Sequence, residues 1–200
     1  MKANILVAAT LAAFLSACQG FQAVDISMAA NVGDNISVTP QVAWSKLNYG
    51  AGSATIWTID GLGLNEMRFL TGIKPGDPLM NVAGVERKEL GTFQAMMLPD
   101  EVMELVGSTL GKLRYRQIRT AGLRPAPFGM ATGFRFDLNF TNEDGLQFKG
   151  VALFAERGGK LDLMLFIAPG EYYFDHYAPV VERVFTSVQL KDAAPTKPAS

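Results

Sequence analysis

The side chains best suited to nucleophilic and proton-transfer chemistry are scarce in this chain: Cys18 is the one cysteine and His176 the one histidine. That scarcity excludes an intrachain disulfide and a zinc site built from several Cys and His ligands, so no metal is expected. A Ser-His-Asp triad would have to use His176, which stands beside Asp175, yet no Gly-x-Ser-x-Gly elbow is present to present a serine. The adjacent carboxylates Asp100-Glu101 and Glu143-Asp144 are accounted for by a helix start and a hairpin turn, not by the facing pair a glycosidase needs. Gly50-Ala51-Gly52-Ser53 and Gly61-Leu62-Gly63 lack both the Lys-Ser/Thr ending of a phosphate loop and the full dinucleotide spacing, so they read as turns. No cofactor is expected.

The basic residues offer more. Lys112, Arg114 and Arg116 would share one face of a strand, with Arg119 and Arg124 close behind. They are candidate contacts for an anionic ligand, a lipid headgroup or a glycan phosphate. A solvated strand face whose charge discourages edge pairing explains the same residues. The nine methionines, including the pair Met96-Met97, fit core packing better than a thioether metal site, and Trp44 and Trp57 fit core anchors.

Cys18 has a more definite setting. Met1-Lys2-Ala3-Asn4 carries one positive charge and precedes an apolar run from Ile5 to Phe14. The run has signal-peptide length and is shorter than the roughly 20 residues a membrane-spanning helix needs. Leu15-Ser16-Ala17-Cys18 then resembles the lipobox of bacterial lipoproteins at every position. That resemblance implies alkylation of the Cys18 thiol by diacylglycerol, cleavage between Ala17 and Cys18, and attachment to a membrane through the lipid. Gln19, where an Asp would be the inner-membrane retention signal, implies the outer membrane of a Gram-negative envelope, facing the periplasm. Two or more acyl chains, at about 0.8 kcal/mol per buried methylene, hold such a protein stably.

At 48% hydrophobic and 18% charged, the 200 residues have an ordinary globular composition with enough apolar content for a sizeable core. After loss of the leader, 17 Lys and Arg oppose 19 Asp and Glu, a formal charge of −2 that gives no bulk attraction for nucleic acid. The expected organisation is a signal peptide over 1–17, a lipidated N-terminus and tether over 18–35, one α+β domain over 36–190, and a disordered Ala/Pro-rich tail over 191–200.

Within the domain, Phe134, Phe136, Leu138 and Phe140 alternate with Arg135, Asp137, Asn139 and Thr141, the period of a half-buried strand. Asn142-Glu143-Asp144-Gly145 turns the chain into a strand over 146–155, apolar on both faces from Val151 to Phe154 and therefore central. Gly158-Gly159-Lys160 turns it again into a third strand of an antiparallel meander. Further strands are expected over 36–44, 55–59, 64–70 and 112–118, with one near 21–28. Helical spacing predicts helices over 99–110 and 172–187, the second containing Pro179, which should kink it or mark the start of its main part.

Consecutive strands with segregated helices make an α+β pattern: an antiparallel sheet with flanking helices. The run Ser37 to Trp44 and the C-terminal run Tyr173 to Leu190, with Phe185-Thr186-Ser187-Val188, resemble the Mog1/PsbP-like fold. Residues 71–90 look like an insertion relative to it, and the group's members mostly act as binding or assembly factors. The expected function is a lipid-anchored, non-catalytic envelope protein that binds another protein in envelope assembly or maintenance. The alternative is a module for a small or lipidic ligand gated by residues 72–90. A hydrolase using His176 with a carboxylate ranks third.

Overall fold

The fold is that of a computed structural model that describes residues 20–33, 35–48 and 54–191. The leader, Cys18, Gln19, the glycine-rich run 50–53 and tail residues 192–200 lie outside the described residues.

Eight strands form one sheet, every neighbour antiparallel. In chain order they are β1 (Gln22–Ala23), β4 (Ser45–Asn48), β5 (Ala54–Thr58), β6 (Glu66–Ile73), β7 (Arg116–Phe128), β8 (Ala131–Thr141), β9 (Gln147–Arg157) and β10 (Lys160–Pro169). Their spatial order is β1-β4-β5-β6-β10-β9-β8-β7. A smaller antiparallel sheet joins β2 (Ala30–Gly33), β3 (Ile36–Val38) and β11 (Gln189–Leu190) in the order β11-β3-β2. Two helices, α1 (Pro99–Lys112) and α2 (Tyr173–Thr186), complete the α+β architecture.

The helices lie on opposite faces of the large sheet because its interior strands are apolar on both. On β10, Leu161, Leu163, Leu165 and Ile167 share a buried cluster with Val102, Leu105, Val106 and Leu110 of α1. The intervening Met164, Phe166 and Ala168 share the other cluster with Val181, Val184 and Phe185 of α2. Period-two alternation thus sends successive residues into different cores. Each fully buried aliphatic or aromatic side chain contributes about 1.5–3 kcal/mol, so neither face could be left bare. The small sheet extends the α2-side core with Val32, Ile36 and Val38, and Trp44 and Trp57 are anchors there, 2% and 0% exposed.

Local chemistry sets the element ends. Pro99 begins α1 at a position whose N–H has no intrahelical partner, and the Glu101 carboxylate accepts the Leu98 N–H at 2.7 Å. Asp100 and Glu101 sit at the positive end of the helix dipole. α2 runs through Pro179 without ending, because burial of Val181, Val184 and Phe185 outweighs the missing hydrogen bond. Arg135 on β8 donates to both oxygens of Glu182 on α2, at 2.9 and 2.6 Å, clamping helix to sheet.

Several elements differ from the sequence expectation. The strand expected over 36–44 ends at Val38, where Pro40 and a left-handed Gln41 (φ 71°) turn the chain toward Trp44. The expected strand over 112–118 divides: Lys112 ends α1, Arg114 turns the chain at φ 69°, and β7 starts at Arg116 and runs ten residues beyond 118. Lys112, Arg114 and Arg116 therefore do not share a strand face. Strand β2 lies within the stretch expected as a tether, whereas β1 falls in the strand expected near 21–28 and is followed by the Val24 N–H bonding the Trp44 carbonyl at 2.9 Å. Met96 is not a core residue: it is 86% exposed at φ 60°.

Gly133 marks the tightest approach within the sheet. A Cβ there would lie 2.5 Å from the Phe154 carbonyl oxygen and 3.0 Å from the Phe128 Cβ. Gly133→Ala is expected to destabilise the fold by about 1–3 kcal/mol, because backbone must move to admit the methyl group. Urea unfolding tests this, and a midpoint equal to the parent's would refute the close approach.

Candidate functional site

Five chain segments meet around an open polar cleft of about 620 Å³. Asn31 and Asn35 come from the β2 and β3 ends, Thr55 from β5, Thr71 and Gly72 from β6, Arg157, Lys160 and Asp162 from the β9–β10 hairpin, and Lys191 from beyond β11. Asp162 organises one wall. It is 4% exposed, accepts the Gly72 N–H at 2.8 Å, and receives Arg157 through Nε at 3.1 Å and Nη2 at 2.7 Å. The carboxylate offsets its burial with three donors and fixes the guanidinium toward the cleft. Lys191 Nζ donates to Asn31 Oδ1 at 2.8 Å, and Lys160 is exposed at the rim. These groups suit a polar, hydrogen-bonding ligand or protein segment.

The apolar crevice between α1 and the sheet is different. Leu70, Leu79, Val106, Leu110, Leu163 and Leu165 line only about 10 Å³, about the room one water requires. Residues 74–98, which contain most of the expected gate, bury Leu79, Val82, Leu90 and Phe93. Two backbone bonds also cross the segment: Gly76 N–H to the Phe93 carbonyl at 2.8 Å and Phe93 N–H to the Asp77 carbonyl at 2.9 Å.

Of the residues singled out in sequence, Arg114 and Arg116 converge and the others are dispersed. Lys112 lies 4.0 Å from Glu89, Arg114 and Arg116 each lie 3.9 Å from Glu143, and Arg124 pairs with Asp137 at 3.1 Å. Arg119 is exposed on β7, the edge strand of the large sheet, whose register shifts twice and which carries Pro125 and Pro127. Charge, bulges and proline are the devices that block edge-to-edge pairing. His176 is exposed on α2, stacked on Tyr172 at 5.1 Å, and among the described residues no carboxylate hydrogen-bonds its ring. No cluster of three or more His, Cys, Asp and Glu able to hold a metal occurs among the described residues.

Two further polar clusters were not singled out in sequence. Arg68 and Glu66, alternate residues of β6, form a buried pair through Arg68 Nε and Nη2 on Glu66 Oε2 at 2.9 and 2.6 Å, while Glu66 Oε1 accepts the Gly63 N–H. Their side chains are 8% and 9% exposed, so this pair holds the β5–β6 turn and leaves little for a ligand. At the surface, Asp60 Oδ2 accepts the Tyr177 hydroxyl and Asn65 Nδ2, both at 2.6 Å. Burial first, and the Asp60 bond second, push the Tyr177 phenol up to about 12. A spacing search does not find the cleft, because its walls come from remote segments. The visible signal was Asp162 itself, one acid within the apolar run of β10.

No protein-family model matches the chain. No curated protein matches it significantly. Among solved structures, the solution structure of cyanobacterial PsbP (CyanoP) from Synechocystis is similar, with 12% identity, a TM-score of 0.49, and coverage of 88% of this chain and 95% of that one. The crystal structure of LpqN, involved in cell envelope biogenesis of Mycobacterium tuberculosis, is similar over 88% of this chain and 87% of that one, at 10% identity and a TM-score of 0.37. Likenesses at this level assign no family, and the α+β architecture rests on the chain's own strands and helices.

Asp162→Ala leaves Arg157 and the Gly72 N–H without their acceptor and is expected to cost about 1–3 kcal/mol in urea unfolding, with Asp162→Asn losing less. An unchanged midpoint for the alanine variant would remove Asp162 from this role. For Tyr177, the folded state holds the phenolic proton more tightly than the ordinary value of 10.0. The stability it contributes is therefore complete below about pH 10 and lost as pH rises through about 12. Ultraviolet titration of the parent minus Tyr177→Phe should show this late ionisation, moved partway back by Asp60→Asn.

Proposed function

We propose that this chain is a lipid-anchored, non-catalytic protein of the bacterial envelope whose folded part binds another protein in envelope assembly or maintenance. The observation that carries the reading is Leu15-Ser16-Ala17-Cys18 placed directly after a signal-type leader. Lipid on Cys18 consumes the thiol and confines the protein to a membrane surface, where recognition does not require turnover. Gln19 favours the outer membrane, facing the periplasm.

The polar cleft supports the binding part of this reading. Arg157 is already held in place by Asp162, so a partner's carbonyl or carboxylate groups would meet a guanidinium whose ordering cost has been met within the fold. The lipidic-ligand reading draws no comparable support, since the crevice under α1 is filled by its own side chains. The His176 hydrolase reading loses its motivating geometry, a cleft with a neighbouring carboxylate, because the imidazole is exposed and stacked on Tyr172.

In cells given an alkyne fatty acid, the parent protein should take up label and sediment with membranes. Cys18→Ala should take up none and accumulate as uncleaved precursor. A Cys18→Ala protein that is cleaved and membrane-retained like the parent would overturn the anchor. Crosslinking of the labelled parent in cells, with mass spectrometry, then identifies the neighbouring protein.

A further inference from the structure

The folded body begins very close to the anchoring cysteine. Gln22 and Ala23 pair with Lys46 and Ser45, and Val24 bonds Trp44 and packs into the α2-side core. Two residues separate Cys18 from Phe21, and the three peptide units joining them span at most about 11 Å. Lipid on Cys18 therefore holds the chain from Phe21 onward at the membrane surface, without a long leash.

That same stretch is unusually apolar for exposed chain. Phe21 is 50% exposed, Ile26 56% and Met28 62%, so three of the nine large exposed hydrophobic residues among the described residues fall within eight positions of one another. Scattered exposed apolar residues need no explanation, but a group beside a lipid anchor does. A local bend presents Ile26: Asp25 accepts both the Ser27 N–H at 2.8 Å and the Ser27 hydroxyl at 2.6 Å. Those two bonds lower the Asp25 pKa, so the one charged side chain of residues 20–33 stays ionised. An ionised carboxylate among these residues limits immersion to the headgroup level.

We infer that Phe21, Ile26 and Met28 form a membrane-contact surface that seats in the headgroup region of the bilayer carrying the Cys18 lipid and fixes the orientation of the folded body on it. The inference rests on the lipid-anchor reading. The occupant is the bilayer itself, since the chain between a lipidated Cys18 and Phe21 spans at most about 11 Å. β7 lies at the opposite edge of the large sheet from β1, so seating β1 on the membrane keeps the exposed Arg119 of β7 away from it.

The test uses the mature lipoprotein in vesicles of phosphatidylethanolamine and phosphatidylglycerol. Because the Cys18 thiol is consumed as a thioether, Phe21→Cys, Ile26→Cys, Met28→Cys and Arg119→Cys each supply one free thiol for an environment-sensitive fluorophore. The expected result is emission at shorter wavelength for the first three labels, with quenching stronger by a nitroxide near the top of the lipid acyl chains than by one near their ends. Arg119, exposed on the opposite edge strand β7, should report water. Vesicle-bound protein with all four labels in water would overturn the contact surface while leaving the anchor intact, as would an Arg119 label immersed as deeply as the other three. Protein that never associates with vesicles would instead overturn the anchor reading, and the contact surface with it.

Discussion

From Leu161 to Ala168, β10 is buried on both faces, and this requirement organises the molecule. A strand apolar on both faces needs a neighbour on each edge and a cover on each side. β6 and β9 supply the edges, α1 covers one face, and α2 with the small sheet covers the other. Water on either face would forfeit about 25 cal/mol for each Å² of apolar surface exposed. The helices are held chiefly by this burial, with Arg135 on Glu182 and Glu101 at the α1 start adding direction.

The same burial explains why the two buried carboxylates of the large sheet, Glu66 and Asp162, both carry partners. Asp162 interrupts the apolar run of β10 and meets Arg157 and the Gly72 N–H, while Glu66 meets Arg68 and the Gly63 N–H. In a low-dielectric interior a lone carboxylate would be costly, and a partnered one supplies geometric order. The two sets differ in consequence. Glu66 and Arg68 are sealed beneath the α1 side, whereas Arg157 opens onto the cleft, so only the second leaves hydrogen-bonding capacity for another molecule.

The ends of the large sheet face different problems. β7 is a long exposed edge that protects itself with two register shifts, Pro125, Pro127 and several arginines. The opposite edge, β1, is two residues long and lies next to the position that a lipobox would lipidate. On the anchor reading, one end is kept from other chains by its own chemistry and the other by the membrane.

Local sequence determined much of the architecture. Strict alternation from Phe134 to Phe140 and the apolar runs of β9 and β10 specified the meander, since side-chain period fixes which face is buried. Pro99 with its acidic first turn located α1, and the spacing of Val181, Val184 and Val188 located α2 despite Pro179. The resemblance of Leu15-Ser16-Ala17-Cys18 to a lipobox is a matter of contiguous residues and needs no fold to be read. Tertiary structure decided what contiguity does not encode. The basic residues 112–116 read as one strand face, but a left-handed Arg114 separates helix from strand, leaving Lys112 beside Glu89 while Arg114 and Arg116 approach Glu143. Strand β2 carries too few residues for a periodic signal, and exists because β3 offers it a partner. The cleft joins residues 31 to 191 through sheet pairing, so its chemistry came into being only when the two sheets packed.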